Sequence, residues 1–145
     1  MKMSARLLII WLFCISATAF AGESENSKIK CAELGQKFSA EFKKEYVSDI
    51  SIWGNPEFHY NSALGTCLVY TEVVDGALNK DINSVWYYRR ITDIYSNKVL
   101  AYSRYFIDKN DPIKKENLVN LTNVGDAVNF SPDMFAVKKA ELFGQ

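Results

Sequence analysis

The sequence predicts an α+β domain with an N-terminal amphipathic helix, an antiparallel meander of three to four strands, one or two C-terminal helices and one disulfide. Three observations support this prediction. Apolar residues recur at helical spacing after Lys28, strand-forming residues dominate between Glu57 and Ile107, and helix-start signals return after that segment. Helices and strands are thus separated along the chain, which is the α+β order.

A secretory leader is predicted at the start of the chain. A short basic region precedes an apolar run from Leu7 to Ile15, and Ala19-Phe20-Ala21 supplies the small residues that signal peptidase requires. An uncleaved anchor is the alternative, but a spanning helix needs roughly 20 apolar residues. We therefore expect a cleaved signal peptide at residues 1–21, a single small domain at residues 22–145 in the periplasm or secreted, and no stable membrane insertion after cleavage.

Two cysteines, Cys31 and Cys67, remain after the predicted leader. An even number of cysteines in an oxidising compartment predicts a disulfide. Closing this loop would stabilise the fold by roughly 3 to 4 kcal/mol in the chain-entropy model. The alternative is a redox pair, but the two cysteines do not form a C-x-x-C motif.

The first predicted helix starts after Lys28, with Asn26 or Ser27 as its N-cap. Its apolar stripe consists of Cys31, Leu34, Phe38, Phe42 and Tyr46. Because Cys31 lies on this stripe, the disulfide should hold the apolar side of the helix against the strand that carries Cys67.

The next segments predict strands. Asp49–Asn55 fits a short edge strand or an irregular loop, whereas Glu57–Asn61 and Thr66–Val74 read as two strands joined by a tight connection. In the second of these, the residues on the side of Cys67 should face the first helix, and Tyr70 and Glu72 should point away from it.

A long hairpin follows, with strands at Ser84–Ile94 and Lys98–Ile107 around the connection Ser96-Asn97-Lys98. Which residues share a face depends on whether the loop length is even or odd. An even loop places Tyr87, Arg89 and Ile91 beside Leu100, Tyr102, Arg104 and Phe106. An odd loop places Trp86, Tyr88, Arg90 and Ile94 beside the same four residues and gives the stronger apolar face.

Two helix-start signals lie in the last part of the chain. Asn110-Asp111-Pro112 predicts a short helix that ends near Asn123 to Asp126. Ser131-Pro132 predicts a second helix, with Gly144 as its stop signal. The apolar residues of this terminal helix should dock on the sheet.

Composition excludes several classes of function. The chain has 17 basic and 17 acidic residues, and the predicted leader removes two bases, so no basic stripe for nucleic acid is expected. His59 is the only histidine, and with the cysteines bridged no usual zinc site can be assembled. Since there is also no nucleophile elbow or phosphate-binding loop, we assign no catalytic residue, metal or cofactor, and expect His59 to be a strand residue.

Paired carboxylates are the catalytic option that composition leaves open, because glycoside cleavage needs only two acids at the right separation. Glu57, Glu72 and Asp93 lie on predicted strands and are the candidates for a small cell-wall or glycan hydrolase. Asn120 and Asn129 match the glycosylation acceptor pattern, which matters only in a eukaryotic source.

Arginines and aromatic residues concentrate in the hairpin and form the candidate binding surface. Its residues are Trp86, Tyr88, Arg89, Arg90, Arg104 and Tyr105. Protein interfaces favour Trp, Tyr and Arg because these side chains combine a large contact area with polar tips. The sequence therefore predicts an exported binding module that contacts another protein, of the inhibitor or immunity type. The alternative is a sheet packed under helices, with its arginines paired to Asp93 or Glu72.

Overall fold

The computed structural model describes residues 6–110, 128–129 and 131–145, and the side chains of residues 25–110 and 131–145. These residues form α1 (Arg6–Tyr46), β1 (Ile52–Trp53), β2 (Glu57–Asn61), β3 (Thr66–Asp75), β4 (Ser84–Asp93), β5 (Lys98–Asp108), β6 (Val128–Asn129) and α2 (Pro132–Phe143). The predicted α+β class is confirmed. The predicted helix after Pro112 and the Asn120 acceptor site lie outside the described residues. The side chain of Asn129, in β6, also lies outside them.

The strands form one sheet in the order β1-β3-β4-β5-β6, and β2 also pairs with β3. The four longer strands, β2 to β5, are the predicted antiparallel meander. The two-residue strand β1 pairs with Val73 and Val74, further along the same edge of β3 that β2 occupies. Strand β6 pairs in parallel with β5. The segment before Pro56 thus forms a short edge strand, one of the two predicted alternatives.

A β-bulge sets the faces of the hairpin. The connection is the four-residue segment Ile94–Asn97, in which Asn97 has a positive φ of 54°. The pairing register shifts between Ile91 and Thr92, so that Leu100 has no partner opposite it. Because the bulge adds one residue to β5, it reverses the parity that an even loop would give.

The face predicted for an odd loop is therefore observed for most of its residues, although the loop is even. Trp86 pairs with Phe106, Tyr88 with Arg104 and Arg90 with Tyr102. Ile94 and Leu100 are corrections to that assignment. Ile94 lies in the connection, and Leu100, next to the bulge, packs against the apolar cluster on the opposite face.

Helix α1 starts earlier than predicted. It is continuous from Arg6 to Tyr46, so the N-cap predicted at Asn26 or Ser27 is wrong. No proline interrupts this stretch, and Gly22 alone costs only about 1 kcal/mol relative to alanine. Among the described residues, no helix is both long enough and apolar enough to span a membrane. Cleavage after Ala21 stays a prediction.

The predicted disulfide joins Cys31 in α1 to Cys67 in β3, with a Cα–Cα distance of 5.3 Å. Both cysteines are almost fully buried. Gly35 allows the helix to approach β2 closely, because a Cβ atom there would lie 2.3 Å from the ring of Phe58. Helix α1 therefore packs on the face of the sheet that carries Cys67, as predicted.

Helix α2 covers part of the opposite face. Its predicted start and stop are confirmed: the Ser131 hydroxyl accepts a hydrogen bond from the Met134 amide, and Gly144 adopts the left-handed conformation. Phe135, Leu142 and Phe143 are buried and form a cluster with the apolar residues of the sheet. These sheet residues are Leu68, Tyr70, Ile91 and Ala101. The main apolar cluster thus lies between α2 and the sheet.

Candidate functional site

The structure divides the predicted binding surface between the two faces of the sheet. Trp86, Tyr88, Arg90 and Arg104 lie on the α1 side, because their cross-strand partners belong to the same face as Cys67. Arg89 and Tyr105 lie on the α2 side. The six residues therefore do not form one surface, and the two groups have different surroundings.

On the α2 side, Arg89 is neutralised within the protein. Its Nε donates a hydrogen bond to Glu72 Oε2 at 2.8 Å, and the Tyr70 hydroxyl donates to the same oxygen at 2.6 Å. The guanidinium carbon lies 5.3 Å from the centre of the Tyr105 ring, and Tyr105 is only 6% exposed. Burial, reinforced by the hydrogen bond to Glu72, raises the pKa of Tyr70 well above its usual range. This cluster is an internal, satisfied network.

On the α1 side, arginines lie among aromatic rings on two neighbouring strands. We call this surface the cationic face, and it consists of Trp86, Tyr88, Arg90, Tyr102, Arg104 and Phe106. The guanidinium carbon of Arg104 lies 4.3 Å from the centre of the Trp86 ring and 5.3 Å from that of Tyr88. Cation–π contacts of this kind contribute roughly 0.5 to 2 kcal/mol, depending on desolvation. The rings thus hold the arginine side chains in place.

Arg90 and Arg104 differ from Arg89 in having no ion-pair partner among the described residues. Within the part of the chain that the structure describes, neither Arg90 nor Arg104 forms an ion pair. In that same part, the buried Nε of Arg104 has no hydrogen-bond partner. The register explains the contrast with Arg89: Glu72 is opposite Arg89 on β3, whereas the neutral Thr71 is opposite Arg90.

A groove of about 440 Å³ runs between the C-terminal part of α1 and the cationic face. It is lined by Phe42, Tyr46, Ser48, Thr71, Val73, Asp75, Tyr88, Arg90 and Tyr102. The guanidinium carbon of Arg90 lies 5.4 Å from the centre of the Phe42 ring, and its Nε donates to Thr92 Oγ1 at 3.0 Å. This volume is in the range of roughly 300 to 1,000 Å³ found for sites that hold small organic groups.

The walls of the groove are held by internal contacts. Phe42 stacks on Tyr46 with ring centres 4.4 Å apart and contacts Trp53 at 5.8 Å. Burial raises the pKa of Tyr102, although the positive charges of Arg104 and Arg90 oppose this shift. Tyr102 therefore stays neutral and presents an uncharged hydroxyl at neutral pH.

A second polar element of the groove is formed by Asp75, Ser48 and Ser51. Asp75 Oδ1 accepts hydrogen bonds from Ser51 Oγ at 2.8 Å and from Ser48 Oγ at 3.5 Å. The two hydroxyl oxygens are 2.7 Å apart. Asp75 lies four residues beyond Thr71 on β3, which corresponds to about 13 Å along the strand from the residue opposite Arg90. The groove thus has opposite charges at separate positions.

The three candidate carboxylates of the hydrolase alternative lie outside the groove and have internal partners. Glu72 is paired with Arg89, and Glu57 Oε1 is 2.6 Å from Lys139 Nζ. Asp93 caps the turn of the hairpin by accepting hydrogen bonds from Thr66 and from Ser96. Burial raises the pKa of Asp93, but these hydrogen bonds outweigh it and hold the pKa below its ordinary value.

The single histidine and the possible metal ligands are the remaining candidates from the sequence. His59 is a half-buried residue of β2, as expected, and its ring stacks on Phe143 with centres 5.4 Å apart. Among the described residues, no three His, Cys, Asp or Glu side chains are grouped in a way that could hold a metal ion.

Sequence reasoning missed the groove residues contributed by α1 and by the loop before β1. Phe42 and Tyr46 were predicted only as parts of an apolar stripe. The signal was available, because Phe42 follows Cys31 by eleven residues, close to three helical turns, and so shares its side. No sequence signal indicated that Ser48 and Ser51 would hydrogen-bond to Asp75.

Comparisons of this chain with protein-family models, with curated proteins and with solved structures found no match. The site is therefore interpreted from its own geometry.

Proposed function

We propose that this protein is an exported binding module that contacts another protein through the cationic face. The observation that supports this proposal is the difference between the arginines: Arg89 has Glu72, whereas Arg90 and Arg104 have no carboxylate among the described residues. An acidic surface of a partner would supply the missing counter-charge.

The side chains of the cationic face are suited to an interface. Trp, Tyr and Arg are the residue types that dominate binding energy, because they offer large contact areas with polar tips. The contacts of Arg104 with the rings of Trp86 and Tyr88 restrict its rotamers before binding. Less side-chain entropy is then lost when a partner docks.

Export is part of the proposal. The leader pattern at residues 1–21 supports it, and the Cys31–Cys67 disulfide is compatible with an oxidising compartment such as the periplasm or the extracellular space. A small exported domain that carries a charged interface fits the inhibitor or immunity type of protein, in which function consists of occupying a partner.

The test is capture of partners from a cell-envelope extract of the source organism, quantified by mass spectrometry. The bait is the intact protein, compared with the double variant Arg90→Glu/Arg104→Glu. Lys98→Glu/Lys138→Glu is the matched control, because it makes the same change in charge away from the cationic face.

We expect the arginine variant to recover its partner at least about tenfold less than the control. Both variants should first show the far-ultraviolet circular dichroism of the parent protein. Equal recovery of the same partners by both double variants would contradict the proposal.

A further inference from the structure

The groove beside the cationic face suggests what chemistry the partner presents. This inference rests on the proposed function and adds the class of partner segment to it. We propose that the groove binds a short partner segment in which an acidic side chain neighbours an apolar one, with the carboxylate on Arg90 and the apolar side chain among the rings.

The first support is the free hydrogen-bonding capacity of Arg90. Its Nε is bonded to Thr92, and the donors on its Nη atoms have no partner among the described residues. A guanidinium that is held at one nitrogen and stacked over Phe42 presents its outer edge in a fixed orientation. A carboxylate is the group that this edge recognises best, through two parallel hydrogen bonds.

The second support is the apolar lining of the groove. Val73 and the rings of Phe42, Tyr88 and Tyr102 surround the space next to Arg90. Tyr46 stands at the groove with 52% of its surface exposed, which is a high value for an aromatic side chain with apolar neighbours. A bulky side chain of a partner would remove this apolar surface from water, which contributes about 25 cal/mol per Å².

The third support is the position of the negative charge. Asp75 lies at the groove near Ser48 and Ser51, away from the strand position of Arg90. A second carboxylate at that position would be repelled, whereas a backbone N–H of the segment could donate to it. The acidic side chain is therefore directed to Arg90 and away from Asp75.

The groove is also preformed. The disulfide fixes α1 to β3, and Phe42 is held between Tyr46 and Trp53. A rigid site loses little conformational entropy on binding, so even a short peptide should bind measurably.

The experiment uses three short peptides blocked at both ends, in which the central pair is leucine–glutamate, leucine–glutamine or alanine–glutamate. Each is titrated into the isotopically labelled intact protein while amide chemical shifts are followed by NMR. The proteins are the parent, Arg90→Gln, and Lys98→Gln as the control that removes one exposed positive charge elsewhere.

The leucine–glutamate peptide should shift the amides of Thr71, Val73 and Tyr88. It should bind at least about fivefold more tightly than the leucine–glutamine peptide, and about tenfold more tightly than the alanine–glutamate peptide. The preference for glutamate over glutamine should vanish in Arg90→Gln and persist in Lys98→Gln. This loss of discrimination separates recognition of the carboxylate from a general effect on stability.

Three results would overturn the inference: no shifts at millimolar peptide, equal binding of the glutamate and glutamine peptides, or shifts confined to residues outside the groove. Binding of 4-phenylbutyrate as tight as that of the peptide would also overturn it, because the site would then suit a small organic acid. If these results came with a partner that still depends on Arg104, the proposed function would stand and only the groove assignment would fall.

Discussion

The two faces of the sheet place the same residue types in different electrostatic surroundings. On the α2 side, Arg89, Glu72 and Tyr70 form a closed network next to the apolar cluster under Phe135. On the α1 side, Arg104 lies over rings and has no carboxylate partner in the part of the chain that the structure describes, and a groove lies between the helix and the sheet. The first arrangement pairs its arginine with a carboxylate, whereas the described residues supply no ion-pair partner to the arginines of the second.

This difference arises from a single step along β3. Glu72 and Thr71 are neighbours in sequence, but they lie opposite Arg89 and Arg90 and point to opposite faces. Glu72 in register forms an ion pair with Arg89, whereas Thr71 in register gives Arg90 no ion-pair partner. In this sheet, the role of each arginine therefore depends on its cross-strand neighbour more than on its own identity.

The largest expected effect tests which face of the sheet contributes more to the free energy of unfolding. Phe135 is 1% exposed, so Phe135→Ala should lower the free energy of unfolding by about 3 to 5 kcal/mol. Phe106 on the cationic face is half-buried, and Phe106→Ala should cost at most about 1 to 2 kcal/mol. Urea denaturation measures both values. Similar losses of unfolding free energy in the two variants would mean that packing on the cationic face contributes as much to stability as packing on the α2 side.

The next effect concerns the link between α1 and the sheet, which forms one wall of the groove. Cys31→Ala/Cys67→Ala removes a bridge across a sequence separation of 36 residues. We expect a loss of about 3 to 4 kcal/mol of unfolding free energy. Denaturation of the parent protein with and without a reductant provides the control. Two further measurements compare the faces: the peptide affinity of the groove, and the hydrogen-exchange protection of the apolar cluster under α2. If the affinity falls while the protection persists, the disulfide stabilises the α1 side in particular.

A smaller effect on the free energy of unfolding is expected when the partner of Arg89 is removed, or when Arg90 itself is replaced. Glu72→Gln leaves the guanidinium of Arg89 half-buried without its counter-charge, and should cost about 1 to 3 kcal/mol. Arg90→Gln removes a ring contact and one hydrogen bond, and should cost about 1 kcal/mol or less. A cycle that combines Glu72→Gln with Arg89→Gln should show coupling in urea denaturation. Additive losses in that cycle would show that the ion pair adds nothing to stability.

Local signals were sufficient for most of the fold. The serine, proline and glycine at the ends of α2 determine its limits through hydrogen bonds with neighbouring residues, so the sequence pattern predicted them. The disulfide followed from a count of cysteines, and the helix side that carries Cys31 then followed from helical spacing.

Features that depend on residues far apart in the chain could not be predicted from local sequence patterns. The bulge at Leu100 cannot be seen in the composition of the hairpin, yet it decides which side chains lie together. That register groups Arg89 with Tyr105 and Arg90 with Arg104, whereas the separation of adjacent residues onto opposite faces follows from strand alternation alone. The groove depends on how α1 packs against the sheet. Periodicity indicates which side of the helix faces the sheet, but not the space that is left between them.

The smallest expected effect is the response of the hairpin turn to acid. Asp93 accepts hydrogen bonds from Thr66, Ser96 and the Tyr95 amide, which hold its folded pKa below the unfolded value of about 3.9. A lowered carboxylate pKa stabilises the folded state above the unfolded pKa, and this contribution is lost as the pH falls through the folded pKa. Stability should therefore decrease from about pH 5 downward.

Urea denaturation of the parent and of Asp93→Asn across this pH range measures the effect. The variant should be less stable at neutral pH and should show a flatter dependence on pH, since asparagine cannot titrate. Arg90→Gln is the control, because Arg90 forms no ion pair among the described residues, and its removal should leave the acid slope of the parent unchanged. A slope in Asp93→Asn as steep as that of the parent would assign the acid response to other carboxylates. Glu72 and Glu57 on the α2 side would then be the next residues to substitute, since both form ion pairs there.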